Sequence, residues 1–148
     1  MSLQAFHSGL TTQMGADAGL IAWANTHFSS ALTLINGNTE VDLIDPTKLP
    51  AMVVELGDGE LDFQIGGDRQ AVEAEILVSF VWREDTNDSA FTQRLTLPAV
   101  VAASISADPT LNNAVDGAWL SEFSPDRNII HPLHVFQFTV SGNFEEIA

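Results

Sequence analysis

Cysteine and tyrosine are absent from this chain, and positive charge is close to absent: five Lys+Arg stand against twenty Asp+Glu, a formal net charge of −15. Without cysteine there is no disulfide, no thiolate nucleophile and no cysteine-ligated metal, although the compartment stays open. Without a cluster of Lys and Arg there is no electrostatic footprint for a nucleic acid, and a duplex would be repelled by most of such a surface. No apolar run approaches the roughly 20 residues of a membrane helix, so no membrane partner is expected. The first residues, Met1-Ser2-Leu3-Gln4, lack a basic stretch followed by an apolar one, so no signal peptide is expected either. Met1-Ser2-Leu3 is read as partly an expression-vector remnant.

What is present suits one folded domain over residues 1–148. A chain of this length can bury roughly 70% of the surface its unfolded form exposes, and 45% of its residues are hydrophobic. The acids are concentrated. Residues 40–75 hold ten (Glu40, Asp42, Asp45, Glu55, Asp58, Glu60, Asp62, Asp68, Glu73, Glu75) against Lys48 and Arg69, a local charge of −8. Such a run is ordinarily a solvated, solubilising face. The sharper reading is a negative surface that faces another polyanion without holding it.

Periodicity orders the elements. Leu3, Phe6, Leu10 and Met14 recur at helical spacing, and Gly15 interrupts. Asp17 is placed to cap a second helix whose apolar residues are Leu20, Ile21, Trp23, Ala24 and Phe28. Ala31 to Ile35 reads as a strand, Asn36-Gly37-Asn38 as a turn, and Thr39 to Ile44 as a return strand. Pro46 and Pro50 bracket a loop before a short strand, Ala51 to Leu56. Gly57-Asp58-Gly59 and Gly66-Gly67-Asp68 read as turns on either side of Leu61, Phe63 and Ile65. Residues 71–83 alternate strictly, with Val72, Ala74, Ile76, Val78, Phe80 and Trp82 on one face, the mark of a half-buried antiparallel strand. Leu77 and Val81 on the other face require a cover, a loop of this chain or a partner subunit.

Asn87 or Asp88 is placed to cap a helix with Phe91, Leu95, Pro98, Val101 or Ala102, and Ile105 along one face. Pro98 predicts a kink or restart. Asp108-Pro109 ends the helix, because a residue before proline resists α geometry, and Asn112-Asn113 permit a tight reversal. Val115 to Phe123 and Leu133 to Val140 are the last strands, separated by Ser124-Pro125-Asp126-Arg127-Asn128. The order helix, strands, helix, strands predicts an α+β fold: a mainly antiparallel sheet with two or three helices packed on one face.

No catalytic constellation emerges. His131 and His134, three apart on a strand, face opposite sides and cannot share a metal. They read as structural or surface histidines. Asp58, Glu60 and Asp62 resemble a calcium loop without its central glycine and terminal glutamate. No phosphate-binding loop, dinucleotide fingerprint or Gly-x-Ser-x-Gly elbow occurs, so neither enzyme activity nor a cofactor nor a metal is expected. Trp82 and Trp119 read as core or core edge. Where positive charge is so scarce, Arg83, Arg94 and Arg127 stand out as local ion-pair partners or as interface residues, where a guanidinium fork suits carboxylates.

Three stretches, in order, resemble the tail-terminator (minor tail, tail-completion) family of long-tailed bacteriophages and prophages. They are Pro50-Ala51-Met52-Val53-Val54-Glu55, the alternating strand ending Val78-Ser79-Phe80-Val81-Trp82-Arg83-Glu84, and a helix closing on Ala107-Asp108-Pro109-Thr110-Leu111. The last runs through Val115-Asp116 into a strand ending Ser121-Glu122-Phe123. The likeness extends from about residue 3 to residue 145; neighbouring head–tail adaptor (neck) proteins share this size and order. It implies a structural protein of the virion's head–tail junction, assembled in the host cytoplasm. Its self-association would give a ring, typically a hexamer, that caps the tail-tube protein, ends tube growth and offers the docking surface for the head-completion protein. DNA would pass through without specific binding. Under this implication Glu40, Asp42, Asp58, Glu60, Asp62, Asp68, Glu73 and Glu75 are channel-lining candidates. Arg83, Glu84, Arg94, Asp126 and Arg127 are subunit-interface candidates. A small acidic enzyme or ligand-binding domain is the alternative, and it predicts a pocket where carboxylates or histidines converge.

Overall fold

A computed structural model of the protein describes residues 1–37, 44–63, 69–125 and 132–147. The elements are α1 (Leu3–Ala16), α2 (Ala18–Phe28), β1 (Thr33–Asn36), β2 (Ala51–Phe63), β3 (Arg69–Arg83), α3 (Asn87–Ala107), β4 (Gly117–Pro125) and β5 (Leu133–Ile147), with a 3-10 turn at Pro46–Lys48. The strands form one sheet in the order β1-β2-β3-β5-β4. β1 runs parallel to β2, and every other pair is antiparallel. This is the α+β architecture that the element order predicts, with the helices on one face.

The alternation of β3 decides which face. Val72, Ala74, Ile76, Val78, Phe80 and Trp82 are all buried, and join Phe136, Phe138, Val140 and Phe144 of β5 under the helices. α1 contributes Phe6, Leu10 and Met14, α2 Leu20, Trp23 and Ala24, and α3 Leu97, Val101 and Ile105. Each large side chain so buried stabilises the fold by about 1.5–3 kcal/mol. Contact is close enough to demand glycine at one point. A Cβ at Gly142 of β5 would lie 2.6 Å from the Phe6 ring, so α1 sits directly on the strand backbone.

Local chemistry sets the helix ends. Ser2 accepts from the Ala5 amide at 3.0 Å and Asp17 from the Leu20 amide at 2.9 Å, each satisfying a free donor of a first turn. α3 ends at Ala107, before Asp108-Pro109. The Asp108 carboxylate then accepts from the Thr110 hydroxyl and from the amides of Thr110 and Asn112. These bonds hold its carboxyl below the usual range, the Thr110 hydroxyl foremost. Leu111, Asn112 and Asn113 follow in the left-handed region, with φ of 51°, 58° and 64°. For Leu111 this conformation is uncommon, and burial of its side chain offsets the strain.

Several sequence expectations need correction. The turn expected at Gly57-Asp58-Gly59 is a bulge inside the continuous strand β2: the register to β3 shifts between Leu56 and Gly59. Glycine there fits a tight approach, since a Cβ on Gly57 would lie 3.2 Å from that of Glu75. The cap of α3 is Thr86, not Asn87 or Asp88, and its side chain makes no capping bond. α3 continues through Pro98 without a restart. The buried stripe of α3 is Ala90, Gln93, Leu97, Val101, Ser104 and Ile105, which leaves Phe91 and Leu95 outside at 64% exposure. Gln93 lies on that inward face, where its Oε1 accepts from Trp82 Nε1. Ile21 is likewise exposed, while Leu20, Trp23 and Ala24 face the sheet. The return strand expected from Thr39 falls mostly outside the described residues, as do Ile65 and the turn at Gly66-Gly67-Asp68.

Candidate functional site

The second face of the sheet is open over part of its area. At one end Val53 and Val81 are buried under Ile44 and Leu49, with Ile35, Leu133 and Val135 around them. The cover that Val81 requires is thus a loop of this chain. A polar strip follows: Gln137 Nε2 donates to Ser79 Oγ at 3.2 Å, and Ser141 Oγ to Ser121 Oγ at 2.9 Å. Beyond it lie the acids. Glu73 stands on this face opposite Glu60 in the β2–β3 register. Asp58, Glu60, Glu73 and Glu75 rim a recess of about 360 Å³. None of the four makes an ion pair among the described residues. Like charges directly opposite across strands destabilise a sheet. The acids are therefore not there to hold the sheet together.

The positions of the channel-lining candidates follow from this. Asp58, Glu60, Glu73 and Glu75 come together at one end of the open face. Asp62 lies on the same stretch of β2, in register with Ala71. Glu40, Asp42 and Asp68 lie outside the described residues. No run of carboxylates along the sequence announced the pairing of Glu60 with Glu73, which the hairpin register creates.

At the opposite end of β3 polar groups are buried or partly buried, and matched. Trp82 Nε1 donates to Gln93 Oε1 at 2.8 Å, and Gln93 Nε2 donates to Glu84 Oε2 at 2.9 Å. His134 is the register partner of Trp82 and stacks on it, with ring centroids 5.8 Å apart. Its Nε2 lies 3.0 Å from the Glu84 carbonyl and its Nδ1 3.2 Å from Arg94 Nη2. The Arg94 guanidinium lies over the Trp82 ring, 6.0 Å from its centroid, where a cation meets the negative face of the indole. The Glu84 carboxyl is held below the usual range, first by Gln93 and then by the Thr86 amide. Of the interface candidates, Glu84 and Arg94 are thus engaged inside the subunit. Arg83 is exposed beside Asp85, at 3.9 Å. Asp126 and Arg127 lie outside the described residues. His134 has the structural role read from the sequence; His131 is outside the described residues.

The remaining recesses differ in character, and the one of about 360 Å³ beside α2 gathers His27, Glu84 and Asp88. Another, of about 590 Å³ between the start of α1 and β1–β2, is walled mainly by Leu3, Val54, Leu56 and the Asn36-Gly37 turn, with His7 and Glu55 at its rim. Among the described residues no group of three His, Asp or Glu side chains is placed to hold a metal ion. Among the described residues, Asp45, Glu84 and Asp108 have carboxyls displaced from their usual range, all lowered by hydrogen bonds that close turns or join α3 to the sheet. Such lowering keeps a carboxylate ionised and suits structure rather than proton transfer at neutral pH. No helix among the described residues is long and apolar enough to cross a membrane.

No family model and no curated protein matches the sequence. Among solved structures the fold is similar to a chain of the virion of a native gene transfer agent particle. The TM-score is 0.52 at 15% identity, over 97% of this chain and 96% of that one. At that identity the likeness is one of fold.

Proposed function

We propose that this protein is a structural component of a phage-type virion and acts there as the tail terminator: a ring that caps the tail tube, ends its growth and receives the head. The observation that carries this reading is the end-to-end fold likeness to a chain of a virion particle, which agrees with the tail-terminator resemblance of the sequence. The acid end adds support. Asp58, Glu60, Glu73 and Glu75 carry charge that the subunit does not use internally, and in a ring lumen that charge would let DNA slide past without being held. Glu40, Asp42, Asp62 and Asp68 are proposed for the same lining from the tail-terminator resemblance alone. Arg83, exposed at the far end of β3, is proposed to meet a neighbouring subunit; Asp126 and Arg127 are proposed for that contact from the resemblance alone, whereas Glu84 and Arg94 are engaged inside the subunit. Neighbours that meet through two different patches close into a ring when the rotation permits; the tail-terminator resemblance implies six subunits.

Deletion of the gene, with electron microscopy of the induced particles, tests the reading. Tubes of uncontrolled length and filled heads without tails are expected. Headless tails of normal length would reassign the protein to the head–tail adaptor, and intact particles would remove it from the virion's assembly altogether.

A further inference from the structure

The contact between Arg94 and His134 admits one protonation state. A guanidinium carries donors and no acceptor, so His134 Nδ1, 3.2 Å from Arg94 Nη2, presents its lone pair. Nε2, 3.0 Å from the Glu84 carbonyl, then carries the hydrogen. The ring is neutral, and at 3% exposure it has little water to solvate a charge. A second proton would set an N–H against an N–H and a cation against a cation.

We propose that this contact is an acid-sensitive latch: protonation of His134 expels the Arg94 guanidinium and loosens the first turns of α3 from the sheet. Among the described residues, the charged and titratable groups around the ring are these. The exit of β3 supplies Glu84, with Arg83 and Asp85 exposed beside it. α3 supplies Arg94 and Asp88, and α2 supplies His27, which shares a polar recess with Glu84 and Asp88. On β4, Glu122 is exposed and pairs in register with Thr139, further along β5. Glu84 is the counterweight, because its carboxylate favours an imidazolium. That carboxylate is already committed to Gln93 and to the Thr86 amide, whereas Arg94 touches the ring nitrogen itself. The latch fastens the end of α3 that carries Phe91 and Leu95, and it does not depend on the proposed tail role.

Amide hydrogen exchange by NMR, expressed as protection factors between about pH 7.5 and 5.0 where histidine titrates, tests the latch on the full chain. Protection over Ala90–Leu95 should fall by about tenfold or more, while Phe6–Met14 in α1 holds. His134→Gln keeps an acceptor for Arg94 and a donor for the Glu84 carbonyl without titrating, so its protection should stay level. Level protection in the original chain, an equal fall in His134→Gln, or a parallel fall in α1 would overturn the proposal. If His134→Gln does not fold, Arg94→Met replaces it: with the guanidinium gone the acid-dependent fall should vanish, and its persistence overturns the latch. Imidazole nitrogen shifts that place the hydrogen on Nδ1 at neutral pH would also overturn it.

Discussion

At one end of β3, Glu73 and Glu75 stand on the open face with Glu60 opposite, and no cation answers them among the described residues. At the other end, Trp82 lies buried under α3 with its indole nitrogen bonded to Gln93, its ring stacked on His134 and a guanidinium above it. One strand thus carries polar chemistry spent inside the subunit and polar chemistry left over. The difference teaches where to look for function. A matched buried network is accounted for by folding, since each of its groups would be costly to leave alone. Unmatched like charges raise the energy of the fold, so folding does not account for them, and they are left to solvent or to the proposed lumen.

Breaking the buried end should have the largest effect. Trp82→Ala removes a fully buried side chain, strands Gln93 and opens a cavity; a loss of about 3–5 kcal/mol is expected in urea unfolding. A loss below about 1 kcal/mol would mean that this end is not the anchor described. Gln93→Leu keeps most of the volume but leaves the indole N–H unmatched and takes a donor from Glu84. A smaller loss of about 1–3 kcal/mol is expected by the same measurement.

The pH dependence sharpens the contrast between the two sets of carboxylates. The Glu84 carboxyl titrates below its ordinary value in the folded protein. Its contribution is therefore complete above the unfolded value, near 4.5, and is lost as pH falls through the lower folded one. Glu84→Gln should flatten the acid limb of a stability–pH curve over that window; an unchanged limb would show that Glu84 is not a source of it. The smallest effect belongs to the acid end. Glu73→Gln with Glu75→Gln relieves repulsion, so stability should hold or rise, by no more than about 0.5 kcal/mol. The gain should shrink in high salt, where exposed charges are screened. A substantial loss would mean that the two carboxylates are structural after all.

Much of the frame was legible along the chain. The alternation Val72 to Trp82 has no competing reading, because period two over that length serves a strand covered on one side. The stop at Asp108-Pro109 and the reversal at Asn112-Asn113 are backbone chemistry that neighbours cannot override. Legibility failed where tertiary packing chose among local patterns. Phe91 and Leu95 match a helical stripe, yet the face that packs inward is the one carrying Leu97, Val101 and Ile105, on which Gln93 meets the Trp82 N–H. Gly57-Asp58-Gly59 has turn composition, yet the long pairing of β2 with β3 carries the strand through it as a bulge. The site was half legible: the abundance of acid between residues 40 and 75 is plain in the sequence. The facing of Glu60 and Glu73, and the engagement of Glu84 and Arg94 in a partly buried network, are not.

By itself the sequence determined the class of fold, the buried face of the central strand, the surplus of negative charge and the ends of two helices, because periodicity, composition and capping act within a few residues. Only the tertiary structure decided which of the charges are spent and which are left over. That depends on the register between strands distant in sequence and on whether a buried group finds a partner, and neither is encoded in any local window.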